Sequence, residues 1–373
     1  MLTDQMHLEP AEDARPGCFT PREQESVFVH PAILPNGQRI KLLKTLLTSA
    51  CEQDCAYCPF RAGRDMRRAT FSPDEFAALF MKLHRAGAAE GMFLSSGIAG
   101  GGVRTQDRIL EAAEILRGKF GFHGYLHLKI MPGAQKAQVA RAMQLADRLS
   151  VNLEAPNPNR LARLAPSKHF LEQLLQPLKW VDEIRQQQSP HSGWQGRWPS
   201  TVTQFVVGGA DESDLELLTT TDWLQHNLHL RRAYFSAFNP VPETPLENKP
   251  STDPLREHRL YQASYLLRDY GFDLEDLPFN GSGNLPLPTD PKLAWADTHL
   301  REQPVEINRA ERNELLRIPG VGPKGADAIL RARRIGMLRD ISALKKLGVI
   351  VERAAPYVLL DGRQAPMQIP LMA

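Results

Sequence analysis

Short apolar runs rich in Val, Ile, Leu and Phe alternate along this chain with longer stretches in which apolar residues recur at helical spacing. That alternation is the pattern of repeated β-α units around a parallel sheet. Six runs read as strands: Ile40–Thr48, Met92–Ser95, Tyr125–Ile130, Leu149–Glu154, Thr201–Val207 and Arg232–Phe238. Between them, Ser72-Pro73-Asp74-Glu75 opens a helix with a capping serine and acids at the positive helix end. Thr105–Gly118 and Ala134–Asp147 also carry helical period. Six units are fewer than a closed (β/α)8 barrel needs. The expectation is therefore an α/β fold: a partial (β/α)6 TIM-like barrel over residues 40–300, preceded by an N-terminal extension of residues 1–39.

Punctuation by Pro and Gly refines this plan. The polar segment Gln186–Pro199, with two Trp, reads as a surface insertion before the fifth strand and is expected to serve as a substrate lid. Turn residues dominate Asn239–Pro254, a helix follows over Leu255–Tyr270, and Pro278–Pro291 is again rich in Pro and Gly. A linker near Leu300 then leads to a small all-α module at 301–373.

Composition excludes several classes. At 42% hydrophobic and 24% charged residues, the chain is of ordinary globular make-up. No apolar stretch reaches membrane-span length, and the acidic N-terminus lacks an apolar leader segment, so a cytoplasmic location without membrane contact is expected. Of four cysteines, three fall between positions 51 and 58, which suits a metal in a reducing compartment better than a disulfide framework. The net charge of +2 is unevenly distributed: Arg309–Arg353 holds eleven basic and five acidic residues, or +6, leaving −4 elsewhere. Such asymmetry points to a polyanion as the partner of the C-terminal module; the plainer reading is a solvated basic face.

The sharpest feature is Thr48–Pro59, TSACEQDCAYCP, directly after the first predicted strand. Three thiolates gathered at a strand's C-terminal end lie where β-α folds build active sites. Thiolates suit iron-sulfur clusters and zinc, but the second ligand pair of a closed zinc site is missing. The spacing C-x3-C-x2-C, with Tyr57 before the last cysteine, resembles the signature of the radical S-adenosylmethionine superfamily. The resemblance implies a 4Fe-4S cluster on Cys51, Cys55 and Cys58. Its fourth iron would chelate S-adenosylmethionine, whose reductive cleavage gives methionine and a 5′-deoxyadenosyl radical. An electron donor such as flavodoxin or ferredoxin is implied as well.

The same resemblance assigns cofactor contacts to later strand ends. Besides Tyr57, they are Ser95, Ser96 and Gly97 for the methionine amino group, and Asn152 and Glu154 for ribose or amine. Gln204 and Gly208 follow at the fifth strand, where Val206-Val207-Gly208-Gly209 resembles the motif that packs on adenine. Alternation along Ser150–Glu154 puts Asn152 and Glu154 on one face, and buried polar groups without a ligand are costly. Tyr125, His127 and Lys129 are candidate proton donors; Cys18 is a candidate hydrogen donor or a bystander.

Two basic elements point outward. Arg61, Arg64, Arg67 and Arg68 follow the cysteines and suit a phosphate near the site, or ion pairs to the barrel. Leu315–Ile329 places Gly320-Val321-Gly322 between two apolar helices with Lys324 alongside, and resembles the helix-hairpin-helix motif that presents backbone N–H groups to a DNA phosphate. Leu338–Pro356 looks like a degenerate second copy. Together the modules resemble a family of radical S-adenosylmethionine proteins with a C-terminal helix-hairpin-helix, described as DNA modification or repair proteins and associated with uracil-DNA-glycosylase-like partners. Since only Cys18 remains, reactions needing a second cluster or two further cysteines are disfavoured. An RNA substrate such as a transfer RNA base, or a cluster-bearing scaffold without catalysis, is the competing expectation.

Overall fold

A computed structural model of the chain describes residues 29–34 and 37–364. Cys18 and most of the 1–39 extension lie outside the described residues. The described chain falls into two compact units, one running to Glu212 and resuming over Trp223–Thr252, the other comprising Ser213–Asp222 and the chain from Asp253 on.

The first unit is built on a sheet of seven strands in sequential order. These are β1 (Val29–Ile33), β2 (Arg39–Leu46), β3 (Gly91–Ser95), β4 (Tyr125–Lys129), β5 (Arg148–Ser150), β6 (Ser200–Val207) and β7 (Arg232–Ala237). All neighbours from β2 to β7 are parallel, whereas β1 pairs antiparallel with β2. The intervening helices are α1 (Pro73–Arg85), α2 (Gly102–Glu114), α3 (Lys136–Leu145), α4 (Pro158–Leu164), α5 (Gln176–Gln187) and α6 (Asp214–Leu228). This is the expected α/β half-barrel with one strand more at its edge. Short β1 carries Pro31, which an edge strand tolerates because one side of its backbone needs no partner.

Local chemistry explains the helices. Ser72 Oγ accepts the Glu75 N–H at 3.2 Å and Glu75 Oε2 accepts the Ser72 N–H at 2.9 Å, a reciprocal cap that starts α1. Phe76, Ala77, Phe80 and Met81 then bury one helical face. After α2 the chain widens into a π-helical turn over Ile115–Lys119, in which Arg117 is buried. Arg117 donates to the carbonyls of Leu145, Phe122 and Gly124 and to Asp147.

The 186–199 insertion is not over the mouth of the barrel. Trp194 stacks on the Arg117 guanidinium, 3.8 Å from its ring centroid, Gln195 donates to the His123 carbonyl and Arg197 pairs with Asp147. His123 and Asp147 precede β4 and β5, so the insertion covers the N-terminal ends of the strands, as a helix-to-strand connection must. The expected lid is a floor.

The second unit contains α7 (Pro254–Asp269), α8 (Pro291–His299), α9 (Arg312–Arg317), α10 (Pro323–Ile335), α11 (Ile341–Lys346) and α12 (Val351–Ala354). It is not all-α: β8 (Val305–Glu306), β9 (Val358–Leu360) and β10 (Arg363–Gln364) form a small sheet in the order β10-β9-β8. The unit begins earlier than the linker expected near Leu300. Ala296 and Leu300 are buried in one core with Leu315, Ile318, Ile329 and Leu344, and Tyr270 and Trp295 pack against it. Among the described residues no helix is long and apolar enough to cross a membrane.

Candidate functional site

The chain leaving β2 turns back across the C-terminal ends of the strands as the cysteine loop, held by its own intervening side chains. Glu52 accepts the N–H groups of Gly100 and Gly101 at 3.1 and 3.0 Å, ahead of α2. On the other side Asp54 accepts Ser167 Oγ at 2.7 Å and its N–H at 3.2 Å, and the Ala56 N–H reaches the Leu164 carbonyl at 2.6 Å. The Ile98 N–H points at Cys51 Sγ, 3.4 Å away. At Gly97 a Cβ would run into the Ala50 carbonyl, so only glycine lets the β3 loop come this close to the cysteine loop.

Beneath the loop lies a cavity of about 290 Å³ lined by all three cysteines together with Tyr57, Ser95, Ser96, Gly97, Asn152, Glu154 and Gln204. Ten of the sequence-derived positions are thereby brought to one place, and the strand ends of β3, β5 and β6 supply most of them. Ser236 and Asn239 from the end of β7 join the wall. Asn152 Nδ2 donates to Gln204 Oε1 at 3.1 Å, which fixes both amides. Gly208 is outside the wall, its N–H bound to the Glu212 carboxylate, and Val206 faces the cavity instead.

Glu154 is the electrostatic centre. It sits at φ 64°, a left-handed conformation that a side-chain-bearing residue adopts only when its surroundings enforce it. The enforcement is visible: its N–H donates to the Gln204 carbonyl at 2.9 Å and its carbonyl accepts the Val206 N–H at 2.8 Å. Its carboxylate meets Lys168 Nζ at 3.3 Å, both side chains under 9% exposed, and accepts the Tyr57 hydroxyl. Burial alone would raise the carboxyl, but Lys168, then Lys129, then the Tyr57 hydroxyl outweigh it and hold Glu154 ionised below the usual range. Burial works against the Lys168 charge too, yet Glu154 and the neighbouring cysteines raise it above its ordinary value. Lys168 is the residue that pattern reading missed; it stands in a loop with no periodicity to mark it.

Desolvation dominates at the thiols. Burial raises Cys55, and it pushes Cys58 up to about 12 with Cys55 adding to the effect. Metal-free, these thiols are neutral, and they ionise onto a cation that replaces their protons. Among the described residues, no three His, Cys, Asp or Glu side chains are grouped to hold a single metal ion. Three soft donors on one continuous loop, opening onto a cavity with polar walls, fit a cluster with one corner left for a further ligand.

The arginine loop is largely committed to holding itself together. Arg68 donates to the carbonyls of Ser49, Phe60, Arg61 and Arg64, at 2.7, 2.8, 2.9 and 3.5 Å. Arg64 donates to the Pro59 carbonyl and pairs with Glu243, and Arg61 reaches the Asp54 carbonyl. Only Arg67 of the four is exposed. The ion-pair reading describes Arg64, through Glu243; Arg61 and Arg68 instead bond backbone carbonyls of the loop itself.

In the second unit, Gly320 takes φ 81° and a Cβ there would strike the Ile350 carbonyl. The Ile350 N–H returns the contact at 3.0 Å to the Gly320 carbonyl, joining the turn before α10 to the start of α12. Gly322 caps α10 without any side-chain acceptor, and Lys324 is exposed. Lys292 donates to the Val321 carbonyl at 2.6 Å, clamping the turn from below.

A parallel half-barrel that gathers three thiols and a buried ion pair at its strand ends defines a cluster-binding β-α barrel. Residues 45–224 match the family model of the Radical SAM superfamily; this segment is a radical SAM domain, and its cofactors are a 4Fe-4S cluster and S-adenosylmethionine. No curated protein matches the chain. Among solved structures it is similar to the FeFe-hydrogenase maturase HydG from Carboxydothermus hydrogenoformans, at 15% identity and a TM-score of 0.48 over 61% of this chain and 51% of that one. Methylornithine synthase (PylB) gives 13% identity and a TM-score of 0.48, covering 61% and 62%. The cobalamin-dependent radical enzyme OxsB gives 10% and 0.33, covering 86% and 52%. The chain spans about half the length of the hydrogenase maturase.

Proposed function

We propose that this chain is a radical S-adenosylmethionine enzyme acting on DNA, with Cys51, Cys55 and Cys58 as the ligands of its cluster. The observation that carries the radical chemistry is the convergence of three thiols and the Glu154–Lys168 pair on one cavity at the strand ends. When bound, the cluster supplies the electron that splits S-adenosylmethionine into methionine and a 5′-deoxyadenosyl radical. The chain's own residues bind and orient. Glu154, kept ionised by Lys168 and aimed by Tyr57, accepts from the cofactor's ammonium, as do the Ser95 and Ser96 hydroxyls and the main chain at Gly97. The amide pair Asn152–Gln204 receives the ribose hydroxyls. Phe93, Ile130, Met131 and Phe238 line the same cavity and keep water from the reacting carbon.

The nucleic-acid half of the reading is supported by the second unit. A glycine hairpin whose following helix has no side-chain cap, beside an exposed lysine, leaves N–H donors for a backbone phosphate. The +6 charge of Arg309–Arg353 adds the long-range attraction. The test is anaerobic reconstitution of the full chain with iron and sulfide, then dithionite and S-adenosylmethionine with duplex DNA, structured RNA or neither. Formation of 5′-deoxyadenosine that is stimulated by duplex, lost in Cys55→Ala and weakened in Lys324→Glu is the expected result. Stimulation by RNA alone would reassign the substrate; a loaded cluster that forms no 5′-deoxyadenosine with any of them would overturn the catalytic reading.

A further inference from the structure

The second unit buries a lysine beneath its glycine turn. Lys292, in the first turn of α8, is 8% exposed, and its ammonium donates to the Val321 carbonyl at 2.6 Å. The Tyr270 ring covers the same ammonium, its centroid 4.6 Å from Nζ. Val321 is the middle residue of Gly320-Val321-Gly322, so Lys292 grips the peptide that joins Val321 to Gly322. That peptide is trans, and in a trans peptide the carbonyl and the N–H point in opposite directions. With its carbonyl fixed on the ammonium, the peptide turns the Gly322 N–H away from Lys292. That N–H has no partner among the described residues. The Tyr270 hydroxyl lies beside Gly322, where a Cβ would stand 3.4 Å from it.

Both contacts of Lys292 are uncharged: a carbonyl, and a phenol held protonated because burial and then Asp269 raise Tyr270 above its ordinary value. The charged groups that act on Lys292 are Arg353, from α12, and Asp290, the N-cap of α8, and these two pair with each other. Burial, and then Arg353, push Lys292 down to about 7, while Asp290 opposes them. A positive charge in such a place is costly unless an anion answers it. The free N–H at the far end of the same peptide is where an anion can do so. A hydrogen bond at one end of a peptide polarises the other, so the ammonium makes that N–H a stronger donor.

We infer that Lys292 is a positioning residue of the nucleic-acid turn: through the Val321–Gly322 peptide it aims and strengthens the N–H that receives a backbone phosphate, and its buried charge adds to the attraction. This rests on the nucleic-acid reading above and supplies the part of that seat which lies behind the turn. A phosphate at Gly322 favours the charged form of Lys292, so the complex takes up a proton that the free chain only partly holds near pH 7. Affinity is therefore full below the value of the lysine in the free chain, and falls as pH rises toward its higher value in the complex. A phosphate that raises Lys292 by about half a unit makes the two plateaus differ by about threefold.

The experiment follows binding of a labelled DNA duplex to the cluster-loaded full chain by fluorescence anisotropy, at one salt concentration, from about pH 6 to about pH 9. The parent is expected to lose at least about threefold in affinity across that range. Lys292→Met, uncharged throughout, is expected to bind weakly at both ends of the range, and Lys292→Arg, charged throughout, tightly at both. Histidines titrate alike in all three chains, so a difference between the profiles belongs to position 292. Far-ultraviolet dichroism checks that both variants are folded. A flat parent profile, or a slope that survives in Lys292→Met, overturns the inference and leaves the nucleic-acid reading standing. Lys292→Arg as weak as Lys292→Met overturns it too, because the charge then contributes nothing. A parent that binds no duplex at any pH overturns the nucleic-acid reading and this inference together, so the two failures are distinguishable.

Discussion

Replacing Glu154 by glutamine (E154Q) keeps the side chain's size and removes its charge, leaving the Lys168 ammonium buried at 7% exposure. At 3.3 Å the lost attraction is about 5 kcal/mol at an effective dielectric constant of about 20. Removing one partner of a buried pair costs about 3–5 kcal/mol in practice. For a unit of this size about 1 kcal/mol moves the melting temperature by about 2–4 °C, so a loss near the lower bound, about 3 kcal/mol, lowers it by about 6–12 °C. Calorimetry of the metal-free full chain at neutral pH reads this directly. Lys168→Met is expected to match E154Q, whereas the double variant, with no orphaned charge, recovers at least half of the loss. Glu154 is held below its ordinary value and Lys168 above its own. The carboxylate's contribution is therefore present above its unfolded value near about 4.3 and lost as pH falls through the folded one; the ammonium's is present below about 10.4 and lost as pH rises through its folded value. The gap between parent and E154Q is accordingly flat between those limits. A double variant as unstable as the sum of the singles, or an E154Q melting with the parent, would refute the reasoning.

Four further outcomes follow from particular contacts. Since burial pushes Cys58 up to about 12, its alkylation by iodoacetamide in metal-free protein should stay slow well above the unfolded thiol's value near about 8.5, and the stability its neutral form confers should be lost as pH rises from there. Gly97→Ala forces the β3 loop off the Ala50 carbonyl; iron retained after reconstitution should fall several-fold while far-ultraviolet dichroism is unchanged. Arg68→Ala removes the donor of four carbonyls and should lower iron retention likewise, whereas Arg67→Ala, exposed, should leave it at the parent level. Gly320→Ala combines a positive φ with a blocked Cβ and should destabilise the C-terminal unit by about 1–3 kcal/mol or more in thermal unfolding, a loss that Lys324→Glu does not share.

The six parallel strands were readable because each is an apolar run flanked by helical period, the strongest local signal a β-α fold emits. Strand β1 was not: VHPAI is short and holds a proline, and only its pairing with Leu42 and Leu43 makes it a strand. The cysteines and the polar pair Asn152 and Glu154 were legible from spacing and alternation. Lys168 became visible only when the 161–169 segment folded back on the cysteine loop. Charge density misled at the arginine loop, because a guanidinium surrounded by turns bonds backbone carbonyls as readily as it waits for phosphate. The 186–199 insertion misled differently: its composition suggested a lid, but the direction of the connection into β6 puts it at the opposite end of the barrel.

The cysteine loop can be pictured as a strap fastened by two buckles, one where Glu52 grips Gly100 and Gly101, the other where Asp54 grips Ser167. Both buckles are non-ligand positions of the motif. It follows that the spacing C-x3-C-x2-C is not portable by itself. A transplant of Cys51–Cys58 onto another scaffold would carry the metal's donors without their frame, and a faithful graft has to bring the glycine pair and the serine with it.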